Sequence, residues 1–340
     1  MCRLGCEGKN QREEPGLLTR RIHTAEEAAR IIRDGGLVAF PTETVFGLGV
    51  DATNATAVEK LFIAKGRPSD NPLIVHVGEV GRWSQAAAEM TPSAQALLDA
   101  FAPGPITVVL PKQASICTSV TAGLKTVGLR IPHHSLTQEI LLRADVPVAA
   151  PSANRSGRPS GTTWQAVLED LDGRIDAVFC EDSVRIGIES TVIDCCGEVP
   201  VVLRPGAITL EQIRQVIPTA QQLITGSNSQ VPVGADQVRS PGLSHPHYQP
   251  RAKVRLVVAP PLDVNKIDEH VAYCGLESFP GMEGLGLVAH YTSLEEFAAG
   301  FYEFLREADR RAITTIFVQL APDYGIGRAL LDRQRRAASD

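Results

Sequence analysis

The chain has 340 residues, with 33 Lys and Arg against 39 Asp and Glu for a formal net charge of -6, and it is 44% hydrophobic but only 5% aromatic. At roughly 100 to 200 residues per domain, that length predicts two globular domains, each able to bury a core without disulfides or a structural metal. The acidic balance excludes bulk binding of nucleic acid, which needs a basic surface to neutralise phosphates, and leaves room only for a local basic site.

Residues 1–18 read as a short frayed tail, because Met1 to Pro15 is polar and has no apolar core of a signal sequence. No later stretch reaches about 18 apolar residues without charge, so a cytoplasmic protein with no membrane partner is expected. Thr24 caps a helix that runs to Asp34, with Glu27 as its capping-box partner and Gly35-Gly36 as the stop. Leu37 to Phe40 follows as a buried strand. Thr53 or Asn54 caps a second helix over Ala57 to Ala64, and Leu73 to Val77 is the next strand. Further strands are expected at Ile106 to Leu110, Thr126 to Ile131, Val146 to Ala149, Ala177 to Cys180, Ser190 to Asp194 and Val199 to Arg204, the last two forming a hairpin. Alternating strands and helices over 19–224 predict an α/β domain.

The pattern stops at residues 225–252, which hold four prolines and three glycines. Two readings stand for this segment: a plain linker, or a cover over a ligand, for which Ser240-Pro241-Gly242 and His245-Pro246-His247-Tyr248 would supply donors and flat surfaces. Beyond it, strands at Val254 to Ala259, Leu285 to His290 and Ile313 to Leu320 alternate with helices at Leu262 to Ala272, Leu294 to Ala308 and Ile326 to Ala337. This predicts a second domain over 253–340, a small parallel sheet with helices on both faces.

Seven cysteines without a C-x-x-C pair point to a reducing compartment. Cys195 and Cys196 end an apolar run, where at least one is expected to pack as a small hydrophobe rather than bind metal.

Chemistry concentrates in the turns after strands. Lys65 and Arg67, two apart in a segment held extended by Pro68, offer a pair of cations suited to phosphate or carboxylate; the alternative is a solvated pair at a helix C-terminus. Ser152 and Asn154 offer a hydroxyl and an amide to a polyphosphate or ribose, or serve only the turn. His76, at a strand end, is either a satisfied core histidine or a catalytic one. Glu43 could hold Mg²⁺, orient a substrate amine, or cap a turn. Gly47-Leu48-Gly49-Val50-Asp51-Ala52 fits G-x-G-x-x-A as a weak dinucleotide signal, with Glu79 too distant for its acidic partner. No P-loop, G-x-S-x-G elbow, H-E-x-x-H or kinase set occurs.

Taken together, several segments resemble the YrdC-domain family in its two-domain form. They are P-T-E-T-V-F-G-L-G at 41–49, K-G-R-P-S-D-N-P-L-I-V-H at 65–76, P-G-P-I-T-V-V-L at 103–110, V-G-L-R-I-P at 127–132, A-P-S-A-N-R-S-G at 150–157, I-E-S-T-V-I-D at 188–194 and L-R-P-G at 203–206. The segments 240–250 and 325–333 resemble that form's linker and second domain. The resemblance implies an open twisted mixed sheet as a YrdC-like catalytic domain, followed by a small Rossmann-like parallel α/β domain, with 225–252 as a linker and active-site lid.

It also implies a nucleotidyltransferase that condenses L-threonine, bicarbonate or CO₂ and Mg·ATP to threonylcarbamoyl-AMP and pyrophosphate, with Mg²⁺ entering on ATP. The product would pass to the machinery that makes N6-threonylcarbamoyladenosine in tRNA, with at most weak RNA contact. By motif, threonine falls to Thr44, His76, Arg130, Ala150 and Ser190, with Arg130 on the carboxylate. ATP falls to Lys65, Arg67, Asn71, Thr126, Ser152, Asn154, Ser160, Arg204 and Tyr248, of which Lys65, Arg67, Ser152 and Asn154 would act in catalysis. No protein-held metal site is implied. Phe46 stands where the family often has Tyr, and Ser244, His245 and Pro246 where basic and aromatic residues are common. The competing readings are an RNA-binding or regulatory module, against which the acidity weighs, carbamoyl adenylate transfer to another acceptor, and, more distantly, an NAD-dependent oxidoreductase.

Overall fold

The structure is a computed structural model and describes residues 18–181, 184–223, 248–260 and 268–338. Residues 1–17 of the expected tail at 1–18, and 225–247 of the expected linker at 225–252, with its Ser240 cluster and His245 to His247, lie outside the described residues.

Strand β1 (Arg20–Ile22) leads to helix α1 (Ala25–Arg33), capped by the Thr24 hydroxyl, which accepts from the Glu27 amide. The Glu27 carboxylate reaches Arg20 at 3.2 Å. Strand β2 (Val38–Phe40) pairs antiparallel with β3 (Gly47–Asp51). The G-L-G stretch is therefore a sheet strand and not the strand-to-helix turn of a dinucleotide fingerprint, which removes that signal. Its glycines have a packing cause: a Cβ on Gly49 would lie 2.4 Å from the Phe40 ring on β2.

Helix α2 (Ala55–Lys65) is capped by Asn54 and ends at Gly66, whose φ of 59° closes the last turn. Next come β4 (Ile74–His76), α3 (Pro92–Phe101), β5 (Ile106–Pro111), β6 (Thr126–Arg130), α4 (Ser135–Ala144), β7 (Val148–Ala149) and α5 (Trp164–Leu171). Strands β8 (Ala177–Phe179), β9 (Thr191–Asp194) and β10 (Val201–Arg204), helix α6 (Leu210–Val216) and β11 (Gln221–Gln222) complete this part. The strands form one open mixed sheet in the order β1-β8-β2-β3-β7-β4-β6-β5-β9-β10-β11. The expected hairpin is present, β9 running antiparallel to β10. Cys195, at its turn, is fully buried and packs in the apolar core.

The second sheet joins β12 (Lys253–Val257), β13 (Val271–Gly275), β14 (Leu287–His290) and β15 (Thr315–Gln319), all parallel, in the order β12-β15-β13-β14. Helices α7 (Leu294–Arg310) and α8 (Gly325–Ala337) complete it. One expectation changes here. Val271 and Ala272, expected at the end of a helix, begin β13, whose Ala272 to Cys274 are buried in the sheet core. Of the helices expected on both faces, the one at Leu262 to Ala272 lies largely outside the described residues, while α7 packs on β13, α8 on β12, and the two pack against each other. Both described helices therefore share one face, and that face meets the larger unit.

The join is close. Val45, Ile188 and Tyr248 sit in the same apolar cluster as Phe297, Phe301 and Tyr302 of α7. Gly187, at φ 75°, passes so near α7 that a Cβ would lie 2.4 Å from the Ala299 backbone.

Candidate active site

Strands β4 and β6 run parallel with His76 opposite Arg130, so their ends deliver an imidazole and a guanidinium side by side. The turn after β2 comes up against them. Within it the Thr42 hydroxyl accepts from the amides of Thr44 and Val45 and donates to the Val45 carbonyl at 2.7 Å. That turn holds the Thr44 hydroxyl 2.9 Å from Arg130 Nη2, and the same Nη2 lies 2.9 Å from Glu43 Oε2.

Buried atoms at this end that lack a hydrogen-bond partner among the described residues include Arg130 Nε, His76 Nδ1 and the Glu43 carboxylate oxygens, of which Oε2 is ion-paired with Arg130. Burial, then the charge of Arg130, holds the His76 pKa down at about 3, so its imidazole is neutral near pH 7. A cationic fork and a neutral ring facing one space suit a carboxylate with an adjacent amine.

Arg204, on β10, donates through Nε and Nη2 to the Ser190 carbonyl at 3.2 and 2.9 Å. Its Nη2 also reaches Ser190 Oγ, which pairs with Thr107 Oγ1 at 2.8 Å. The β9–β10 hairpin is what brings these residues together. Arg67 supplies a third guanidinium, donating to the carbonyls of Asn71 and Pro72 at 3.2 and 3.0 Å. Arg67, Arg130 and Arg204 all line one cleft of about 610 Å³, with His76, Ala150, Ser152, Ser190 and Tyr248 also on its wall. Thr44 meets it through Arg130.

Other expected site residues stand differently. Lys65 does not line the cleft. It ends α2, and Gly66 turns left-handed, so the segment is not extended and the two cations do not form the expected paired platform. The Lys65 ammonium is fully buried and donates to the carbonyls of Ser152, at 2.6 Å, and Asn154. Burial, reinforced by Arg67 and opposed by Asp170, puts its pKa well below the usual ammonium range. Asn154 is also turned inward, its amide donating to the carbonyls of Arg155 and Arg158, with Oδ1 buried and without a partner among the described residues. Ser160 is buried and donates to Glu189 Oε1 at 2.7 Å. Asn71 lies buried beneath Arg67. Thr126 lines a neighbouring recess of about 310 Å³ that shares Pro72, Leu73 and Ile74 with the cleft.

Glu189 lines the cleft and was not singled out from the sequence, although it stands inside the I-E-S-T segment. Burial would raise its pKa, but Arg333, Arg204 and the Ser160 hydroxyl outweigh that and hold it at about 2. Its Oε2 accepts from Arg333 Nε and from the Tyr302 hydroxyl, both at 2.9 Å. Arg333 and Tyr302 belong to α8 and α7, more than a hundred residues downstream, and no local pattern announces that meeting.

Comparison with known proteins gives this constellation a context. A family model described as "Telomere recombination" matches residues 30–206, and one described as "Threonylcarbamoyl-AMP synthase, C-terminal domain" matches residues 208–339. The chain is similar to the threonylcarbamoyl-AMP synthase of Bacillus subtilis, with 38% identity over 324 residues and 92% of each chain covered. It is 39% identical to that of Pyrococcus abyssi, covering 92% of this chain and 93% of the relative. The crystal structure of P. abyssi Sua5 complexed with L-threonine superposes with a TM-score of 0.83 at 37% identity, covering 94% of this chain and 96% of that one.

Proposed function

The chain belongs to the threonylcarbamoyl-AMP synthase family and is an enzyme of the nucleotidyltransferase type; from that premise we propose that its cleft condenses L-threonine, bicarbonate or CO₂ and Mg·ATP. In the proposed chemistry the threonine amine adds to the carbon of CO₂ and loses a proton, giving a carbamate. A carbamate oxygen then attacks the α-phosphorus, the bond to the bridging oxygen breaks, and pyrophosphate leaves with the electron pair. From bicarbonate, one water is also released.

Two anions must meet in this step, and the observation that carries the reading is the convergence of Arg67, Arg130 and Arg204 on one cleft wall. Arg130 takes the threonine carboxylate through the edge that includes its unpartnered Nε. The neutral His76, with Nδ1 open, accepts a hydrogen bond from the ammonium and so orients the amine. Thr44, Ala150 and Ser190 shape the rest of the threonine end. Arg67, Arg204, Ser152 and Tyr248 face the triphosphate, and Thr126 in the adjoining recess takes the nucleoside side.

Lys65, Asn71, Asn154 and Ser160 act from behind the wall. Lys65 fixes the carbonyls of the 152–154 turn, so its part in catalysis is to hold Ser152 in place. Among the described residues no group of three or more His, Cys, Asp and Glu is placed to hold a metal ion. Mg²⁺ enters as part of the nucleotide substrate. Among them, too, no helix is long and apolar enough to cross a membrane. We assign the chain to the cytoplasm and its product to a tRNA threonylcarbamoyl-transferring step.

The product itself tests the reading. The full chain, incubated with threonine, Mg·ATP and ¹³C-bicarbonate, is expected to yield an adenylate one mass unit heavier than that from unlabelled bicarbonate. An adenylate without label, or AMP alone, would contradict it.

A further inference from the structure

Arg333 stands on the last helix, does not line the cleft, and is nevertheless fully buried beside it. Its Nε donates to Glu189 Oε2 at 2.9 Å, its Nη1 to Asp332 Oδ2 at 2.7 Å and its Nη2 to the Pro205 carbonyl at 3.1 Å. Its guanidinium also lies 5.8 Å from the centre of the Tyr248 ring. Tyr302 completes the group, donating to the same carboxylate and packing its ring 5.1 Å from that of Tyr248.

The positions in the chain give this group its meaning. Glu189 directly precedes Ser190, and Pro205 directly follows Arg204, so one guanidinium clamps the neighbours of two cleft residues while supporting a third, Tyr248. Packing alone does not call for such a group, because a hydrophobic side chain of similar volume fills a buried space without the desolvation cost of a charge. An ion pair with a planar fork fixes direction as well as distance.

We propose that Arg333 is a positioning residue for the reaction proposed above: through Glu189, Pro205 and Tyr248 it sets the nucleotide-facing wall of the cleft, so the C-terminal unit contributes alignment to the active site. Without it, Glu189 has lost its main counter-charge and turns to the nearby Arg204, drawing that guanidinium away from Ser190.

The test compares the full-length wild type with Arg333→Met, Arg333→Lys and the double variant Glu189→Gln/Arg333→Met, reading steady-state pyrophosphate release and, by calorimetry without nucleotide, threonine affinity. Arg333→Met is expected to lower kcat by about 10²-fold, the usual cost of displacing reacting groups by an ångström, and to raise the KM for ATP. Threonine affinity is expected to fall much less than kcat, because Arg130 and His76 stand on β4 and β6, which Arg333 does not touch, and of the threonine end only Ser190 adjoins the disturbed wall. Arg333→Lys keeps the charge against Glu189 but loses the fork to Pro205, and is expected to recover part of kcat.

A folded Arg333→Met with wild-type kcat and KM overturns the inference. So does an equal fall in threonine affinity and turnover, which is what general loosening would produce. Should the single variant not fold, the double variant removes the stranded charge; wild-type kinetics in a folded double variant also overturn it, and a retained kcat defect supports it. Failure of the underlying reaction is distinguishable, since it would show in the wild type as pyrophosphate release indifferent to threonine.

Discussion

His76 and Arg130 show how far a single side chain's surroundings decide its chemistry. Set opposite one another on parallel strands, they share a buried site, and the guanidinium's charge adds to burial in keeping the imidazole unprotonated. The native pKa of about 3 lies below the usual value of 6.5. Between those values the unfolded chain binds the proton and the native one does not, so stability falls as pH drops from about 6.5 towards 3. The imidazole resonances of His76, followed by NMR, are expected to stay flat from about pH 5 to 8; a midpoint near 6.5 would contradict a neutral, buried acceptor. The residue types were legible in the sequence, and nine of the expected residues (Thr44, Arg67, His76, Arg130, Ala150, Ser152, Ser190, Arg204 and Tyr248) do meet at or beside one cleft. The direction of each side chain was not legible. Lys65 and Asn154 belong to segments that border the cleft yet point into the protein, because the turn they stabilise has carbonyls that require donors.

At the scale of elements, chain punctuation read well wherever a cap is chemically encoded, as at Thr24 and Asn54. Strand β3 was hidden because two glycines weaken the strand signal, and only the Phe40 ring beneath them explains their place. Helix α7 illustrates what local pattern leaves out. Its Arg306 is fully buried and donates to Asp170 at 2.9 Å and to the carbonyls of Pro159 and Ser160 at 2.5 and 3.4 Å, holding from the second unit the loop that leads out of Asn154. Asp170 has no exposed side-chain surface, and Arg158 would be its remaining ionic partner. Arg306→Met is therefore expected to destabilise the protein by about 3 kcal/mol, the lower end for breaking a buried pair, seen as a lower urea midpoint. An unchanged midpoint would mean that the loop carries itself.

The whole molecule carries a net charge of -6 and yet gathers three guanidiniums on one cleft wall. That distribution is scaled to a nucleotide and an amino acid rather than to a long polyanion, where counter-ion release would require many surface cations. Two units were legible from length and from the change of pattern near residue 225; the alternation of elements predicted an α/β first unit and a parallel second sheet, and the mixed sheet of the first followed from the resemblance. Their interdependence was not. It rests on pairs such as Glu189 with Arg333 and Asp170 with Arg306, separated by 144 and 136 residues, for which a single sequence carries no signal. The central claim is that this cleft joins threonine and ATP in one reaction, and it is tested most directly by pyrophosphate release with threonine, bicarbonate and Mg²⁺ omitted in turn. The account requires release to fall to background in each omission; release that continues without threonine would contradict it.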